Sequence, residues 1–326
     1  MIKIYFYKYL LSFLLLFSCG PIYSDCIPGK PHDSSFVSST VHDLAVVKGS
    51  IIAVDNRGHV LGSRDGVNWK LLHDGGNEAY YSIAVRDETI VVNGFRSILT
   101  KTMGNDWVVT DFTYSSSLRR STIASNEFLM YSHTELWRSD DGLKWDKTLS
   151  MSSGLIRGVH AVGDRLFILV DVGSVYTITD QSSAMEFIEW DYKSKGLPIS
   201  TATNGEDVAV VTDSGFYVGK WNDALQSVIK IDGLADFYIR KVAYLQDEFI
   251  VVGDCGLFMT SKGAHHWKKH DLASTQDLFT AEKTESGYIV AGASPLDSVT
   301  AQVGTFFVNT GEDEWKRVDI PYYGLD

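Results

Sequence analysis

The chain has 326 residues, of which 44% are hydrophobic, and a formal net charge of −12. Apolar content this high argues against global disorder, and the negative charge argues against a non-specific grip on nucleic acid or anionic bilayer. Beyond the first 24 residues no stretch approaches the roughly 20 apolar residues of a membrane-spanning helix.

Residues 1–24 stand apart from the rest. Lys3 and Lys8 form a basic start, and LLSFLLLF from Leu10 to Phe17 is an apolar run of signal-peptide length, so export is expected. Two processing sites compete. LFSC, ending at Cys19, has the order of a bacterial lipobox, which would lipidate that cysteine. Ile22-Tyr23-Ser24 offers an ordinary signal-peptidase site, leaving Asp25 first. The destination is therefore periplasmic, lipid-anchored at the outer membrane, or secreted. Residues 25–36, with two prolines and little periodicity, read as a linker.

From residue 37 to the end a module repeats. An apolar strand (DLAVV from Asp43) leads through a turn to a second (SIIAV). A Gly- and Asn-rich turn (DNRG) leads to a third (HVLGS), and SRDGVNWKLL then carries the chain into a fourth. Short strands bounded by Gly, Asn and Asp turns make one small antiparallel sheet. Trp69, Trp107 and Trp145 fall 38 residues apart, two worn modules follow, and Trp267 and Trp315 mark the sixth and seventh. A fixed period decides architecture before any single residue does. Seven four-stranded modules without a helical stretch predict an all-β, seven-bladed β-propeller; because two modules lack the tryptophan, six or eight blades stay open.

The turn Ser63, Asp65, Gly66, Trp69, repeated as Ser139, Asp141, Gly142, Trp145, resembles the Asp-box (BNR) of sialidase-type propellers, with one residue fewer between aspartate and tryptophan than the usual box. The resemblance implies that the aspartates accept turn amide hydrogen bonds, the glycine permits the turn and the tryptophan packs between blades. The rhythm of VVGDCGLFMTS is also similar to photosystem II assembly-factor propellers and related exported bacterial proteins, which implies an assembly or scaffold role.

Chemistry is poorly signalled. Sialidases carry an Arg-Ile-Pro motif absent here, and no HExxH, nucleophile elbow, Walker loop or CxxC occurs. His266 and His270 read as a solvated strand edge rather than a zinc pair. No catalytic residue, metal or cofactor is assigned, and the balance is against an enzyme; a carbohydrate-active hydrolase is the alternative.

A binding face is better supported. Blade connections and second-to-third-strand turns share one face of a propeller, and the serine–aspartate–glycine turns lie on the other. On the first face fall Tyr80, Tyr81, Arg119, Arg120, Arg157, Tyr238, Arg240, Lys241 and Phe279, with Arg57 and Arg96 in the turns. Arginine forks and tyrosines suit a protein or glycan partner, anionic in part, bound by a monomer; pairing of these cations with rim carboxylates such as Asp43, Asp55 and Asp213 is the competing reading. Cys255 sits in a turn of the same face, and ten linker residues span at most about 33 Å, so a Cys26–Cys255 disulfide across the ring closure is expected in an oxidising compartment.

Overall fold

The computed structural model describes residues 40–102, 104–112, 118–124, 126–162, 165–170, 174–179, 186–189, 195–220, 229–231, 234, 237–293, 302–311 and 314–321. The described residues form seven four-stranded sheets, each from contiguous sequence and each in simple chain order. In blade 1 the strands are Val41–Val47, Ser50–Asp55, His59–Ser63 and Trp69–Asp74. The inner strands of blades 2 to 7 are Tyr80–Arg86, Leu118–Ala124, Ile156–Val162, Pro198–Thr203, Ile239–Leu245 and Leu278–Thr284.

Hydrophobic pattern explains the layout. Second strands such as Ser50–Asp55, Glu127–Ser132 and Glu248–Gly253 are buried from their second residue to their last. A strand covered on both faces carries a continuous apolar run rather than an alternating one. The outer strand Trp69–Asp74 alternates between covered and exposed positions, as befits an edge. First and second strands meet in two-residue hairpins: Lys48 and Gly49 take φ 47° and 73°, and Gln246 and Asp247 take 44° and 68°. Such turns need positive φ at both positions.

Each inner strand touches those of the blades beside it, and the contact of Leu278–Thr284 with Val41–Val47 closes a ring of seven. The core lies between blades. Val54, Val60, Tyr80 and Val92 fill the space between blades 1 and 2; Leu44, Leu61, Trp69, Ala291 and Phe306 fill that between blades 7 and 1. Among the described residues, all four strands of blade 7 come from its own contiguous sequence. One isolated bridge, Thr40 to Ala293, crosses the closure, and side chains hold the rest.

The turn from Ser63 to Trp69 shows how. Ser63 Oγ accepts the Gly66 amide at 2.9 Å, and Asp65 Oδ1 accepts those of Val67 and Asn68 at 2.9 and 2.7 Å. Gly66 has φ 72°, and a Cβ there would meet Val308 and Ile289 of blade 7 at 3.0 and 3.2 Å. Trp69 Nε1 donates to Gly66 O at 2.8 Å, and its ring lies 4.3 Å from Phe306 of blade 7. Ser139, Asp141, Gly142 and Trp145 repeat the pattern against blade 2. In the worn copy, Ala264 holds the glycine's place at φ 57°, and Trp267 donates to its carbonyl at 2.7 Å.

Two expectations change. Tyr80 is not on the binding face; it is 1% exposed, inside the core between blades 1 and 2. His270 is not at a solvated edge. It is buried, stacked on Phe258 at 4.9 Å, with Nε2 2.9 Å from Thr260 Oγ1. Among the described residues no group of three metal-ligating side chains occurs.

Candidate functional site

All seven inner strands carry the same irregularity. Pairing with the second strand skips one residue near the start: His42, Tyr81, Arg119, Arg157, Ile199, Arg240 and Phe279 in blades 1 to 7. A bulge bends the strand and re-aims the extra side chain. Here it recurs at one level of the ring, on the side of the blade connections, and builds the mouth of the central channel. Behind it lies a cavity of about 990 Å³; among the described side chains His42, Tyr81, Arg157, Ile199, Arg240 and Phe279 line it, together with Phe95, His133 and Tyr238 from adjoining turns.

One arc of the mouth is continuous. His42 lies edge-on to Tyr81 at 5.2 Å and to Phe279 at 5.8 Å. The Arg240 guanidinium stands 4.3 Å from the Phe279 ring centre and 5.6 Å from that of Tyr238. It is also paired, with Asp254 and with Asp277, the latter at 2.9 Å. Burial raises the Tyr81 phenol, so it stays a neutral donor near pH 7. Phe95, 45% exposed, extends the arc from blade 2, with Arg96 above its ring at 5.7 Å.

One residue below the mouth, polar side chains tie blade to blade. Lys241 Nζ of blade 6 meets Asp43 Oδ1 of blade 1 at 2.7 Å and Thr280 Oγ1 of blade 7 at 3.1 Å. Thr280 Oγ1 donates to the same Asp43 oxygen at 3.0 Å, and the Ile83 amide of blade 2 donates to the other at 3.0 Å. One carboxylate thus links four blades across the closure. Ser200 Oγ exchanges hydrogen bonds with the amide and carbonyl of Val242 in blade 6, and, deeper in the channel wall, His160 bonds Thr201 between blades 4 and 5.

Lower still, three residues past each bulge, stand Ala45, Ala84, Thr122, His160, Ala202, Ala243 and Glu282. Glu282 lines the cavity. Burial pushes its carboxyl up to about 8; Lys241 opposes the shift and Asp43 adds to it.

The structure therefore brings Tyr81, Arg157, Tyr238 and Arg240 to the cavity and places Arg119 at the bulge of blade 3, with Arg120 next to it. Arg57 and Arg96 lie in turns outside the cavity lining. Both Arg240 and Lys241 are matched by carboxylates. Sequence reasoning missed His42, Phe95, His133, His160 and Glu282. Aligning modules on their inner strands, rather than on their tryptophans, exposes His42, His160 and Glu282. Cys255, in the turn between the second and third strands of blade 6, is disulfide-bonded; Cys19 and Cys26 lie outside the described residues.

No family model matches the chain, and no curated protein matches it in sequence. Solved structures do. One described as YCF48 bound to D1 peptide is similar over 82% of this chain and 96% of its own, with TM-score 0.64 and 14% identity. YCF48 from Cyanidioschyzon merolae matches over 81% and 95%, at 0.63 and 16%. The WD40 β-propeller domain of Doa1 matches over 82% and 93%, at 0.62 and 11%. At these identities the likeness establishes the β-propeller fold.

Proposed function

We propose that this chain is an exported, non-catalytic propeller that holds a segment of a partner protein at its channel mouth and serves as an assembly or scaffold factor. The observation that carries the reading is the mouth itself. Bulges at one level of the ring bring His42, Tyr81, Arg157, Ile199, Arg240 and Phe279 to one opening, and an aromatic arc from Phe95 through Tyr81, His42 and Phe279 presents apolar area with hydrogen-bonding edges. The peptide named with one similar propeller supports a protein partner over a glycan. The turns at Ser63 and Ser139 fit the Asp-box type, a blade-closing device on the opposite face. Pairing of Cys255 with Cys26 belongs to the same proposal.

A hydrolase needs a second carboxylate free to act beside a protonated acid. Glu282 has the raised pKa of such an acid, but both oxygens of Asp43 are occupied by Lys241, Thr280 and the Ile83 amide. The binding reading is favoured for that reason.

Affinity capture from native extract tests it. A Tyr81→Ala, Phe95→Ala, Phe279→Ala bait should lose a partner that wild type retains, and equal recovery by both baits would remove the mouth from consideration. For export, Cys19→Ala should release the protein from membranes if the lipobox is used; unchanged fractionation would point to cleavage after Ser24.

A further inference from the structure

The cations of the blade 6–7–1 wall are already answered. Arg240 has Asp254 and Asp277, and Lys241 has Asp43 and Thr280. Glu282 is different: it lines the cavity yet makes no ion pair among the described residues. Its surroundings are cut back to leave room, since the matching positions in blades 1, 2, 5 and 6 are all alanine: Ala45, Ala84, Ala202 and Ala243. It lies three residues below the mouth ring, about 10 Å at strand rise. The approach is rimmed by Phe279, Tyr81 and His42, and aromatic faces attract cations. Arg240 over Phe279 shows the contact already made once.

We infer that the channel receives a protonated primary amine, a lysine side chain or a free polypeptide N-terminus, and that Glu282 is its counter-ion. This rests on the mouth being the binding face and names the chemistry of the group that enters. A neutral ligand would leave the carboxyl protonated, and an anion would face Asp43 and Glu282 together. An ammonium favours the ionised form of Glu282, so binding expels a proton near neutral pH. Among the described residues the charged groups acting on Glu282 are Asp43 of blade 1 and Lys241 of blade 6, and His42 and Tyr244 line the same cavity. Lys283 follows it on its own strand, and His160 stands on the far wall. Lys241 is held by Asp43, which limits its repulsion of an incoming amine.

Calorimetry with three peptides decides the matter: acetyl-Gly-Lys-Gly-amide, Gly-Gly-Gly-amide with a free amino terminus, and acetyl-Gly-Gln-Gly-amide. At least one amine peptide should bind wild type about ten-fold or more tighter than the glutamine peptide, as one charge-assisted hydrogen bond implies. At pH 7, comparison of buffers with different ionisation heats should show release of most of one proton. Glu282→Gln should erase both the preference and the release. Which amine peptide binds separates side chain from terminus. Equal binding of all three, binding without proton release, release that persists in Glu282→Gln, or no binding would each overturn the inference. Partner loss on the Tyr81, Phe95 and Phe279 changes would still stand apart as the test of the mouth. Proton release from wild type needs no variant to fold.

Discussion

Trp69 touches both of its neighbours in the ring-closing interface: it donates to the Gly66 carbonyl and lies against Phe306 across the gap to blade 7. Trp69→Ala should therefore cost about 3–5 kcal/mol in denaturant unfolding, as loss of a large buried aromatic does. Ser63→Ala removes a buried hydroxyl that accepts the Gly66 amide, and about 1–3 kcal/mol should follow from the stranded donor. Glu282 gives a stability test with a sign. Its folded pKa of about 8 lies above the unfolded value near 4.5, so the unfolded chain loses its proton first as pH rises. Folded stability should fall between those two values and level off beyond them. Glu282→Gln should consequently raise the melting temperature at pH 8 and leave it unchanged near pH 4. A parallel pH dependence in wild type and variant would mean that the carboxyl titrates normally. Sequence made the residues of the serine–aspartate–glycine turns readable because their chemistry is local, spanning seven positions. Glu282 was invisible, since its environment comes from strands some 40 and 240 residues away.

Element by element, strands were readable and bulges were not. HVLGS, ELWRS and SVYTI are strands as their composition demands. The skipped residue of each inner strand carries no local mark. Histidine, tyrosine, arginine, isoleucine and phenylalanine all occupy it, and none needs a special φ. That is why Tyr80 and Tyr81 looked alike in sequence, while the bulge sends one to the core and the other to the mouth. His270 failed similarly: a strand edge in sequence, but capped in space by Phe258 and Trp315. The turn holding Cys255 makes the testable element. Reduction, or Cys255→Ser, should lower stability by about 2–4 kcal/mol, the usual worth of a bridge between distant segments. No change in the unfolding midpoint with reductant would show that the bond ties nothing that folding must order.

At the scale of the ring, the described residues form seven modules of contiguous strands, with no strand exchanged among them at the closure. Side chains do that work: the Trp69–Phe306 contact, and Asp43 linking Lys241, Thr280 and Ile83 across four blades. The module count was legible because repeats announce themselves. The manner of closure was not, because nothing in a repeat says which copy meets which. On the proposed function, binding occurs at the bulged mouth, away from the serine–aspartate–glycine turns. Phe95 at the mouth and Leu143 on the opposite face are 45% and 41% exposed, a matched pair for comparison. A photo-crosslinking amino acid placed at each in turn, in the intact host cell, is the most direct measurement. A discrete crosslinked partner from position 95 and none from position 143 is the predicted result; a partner trapped from position 143 alone would contradict it.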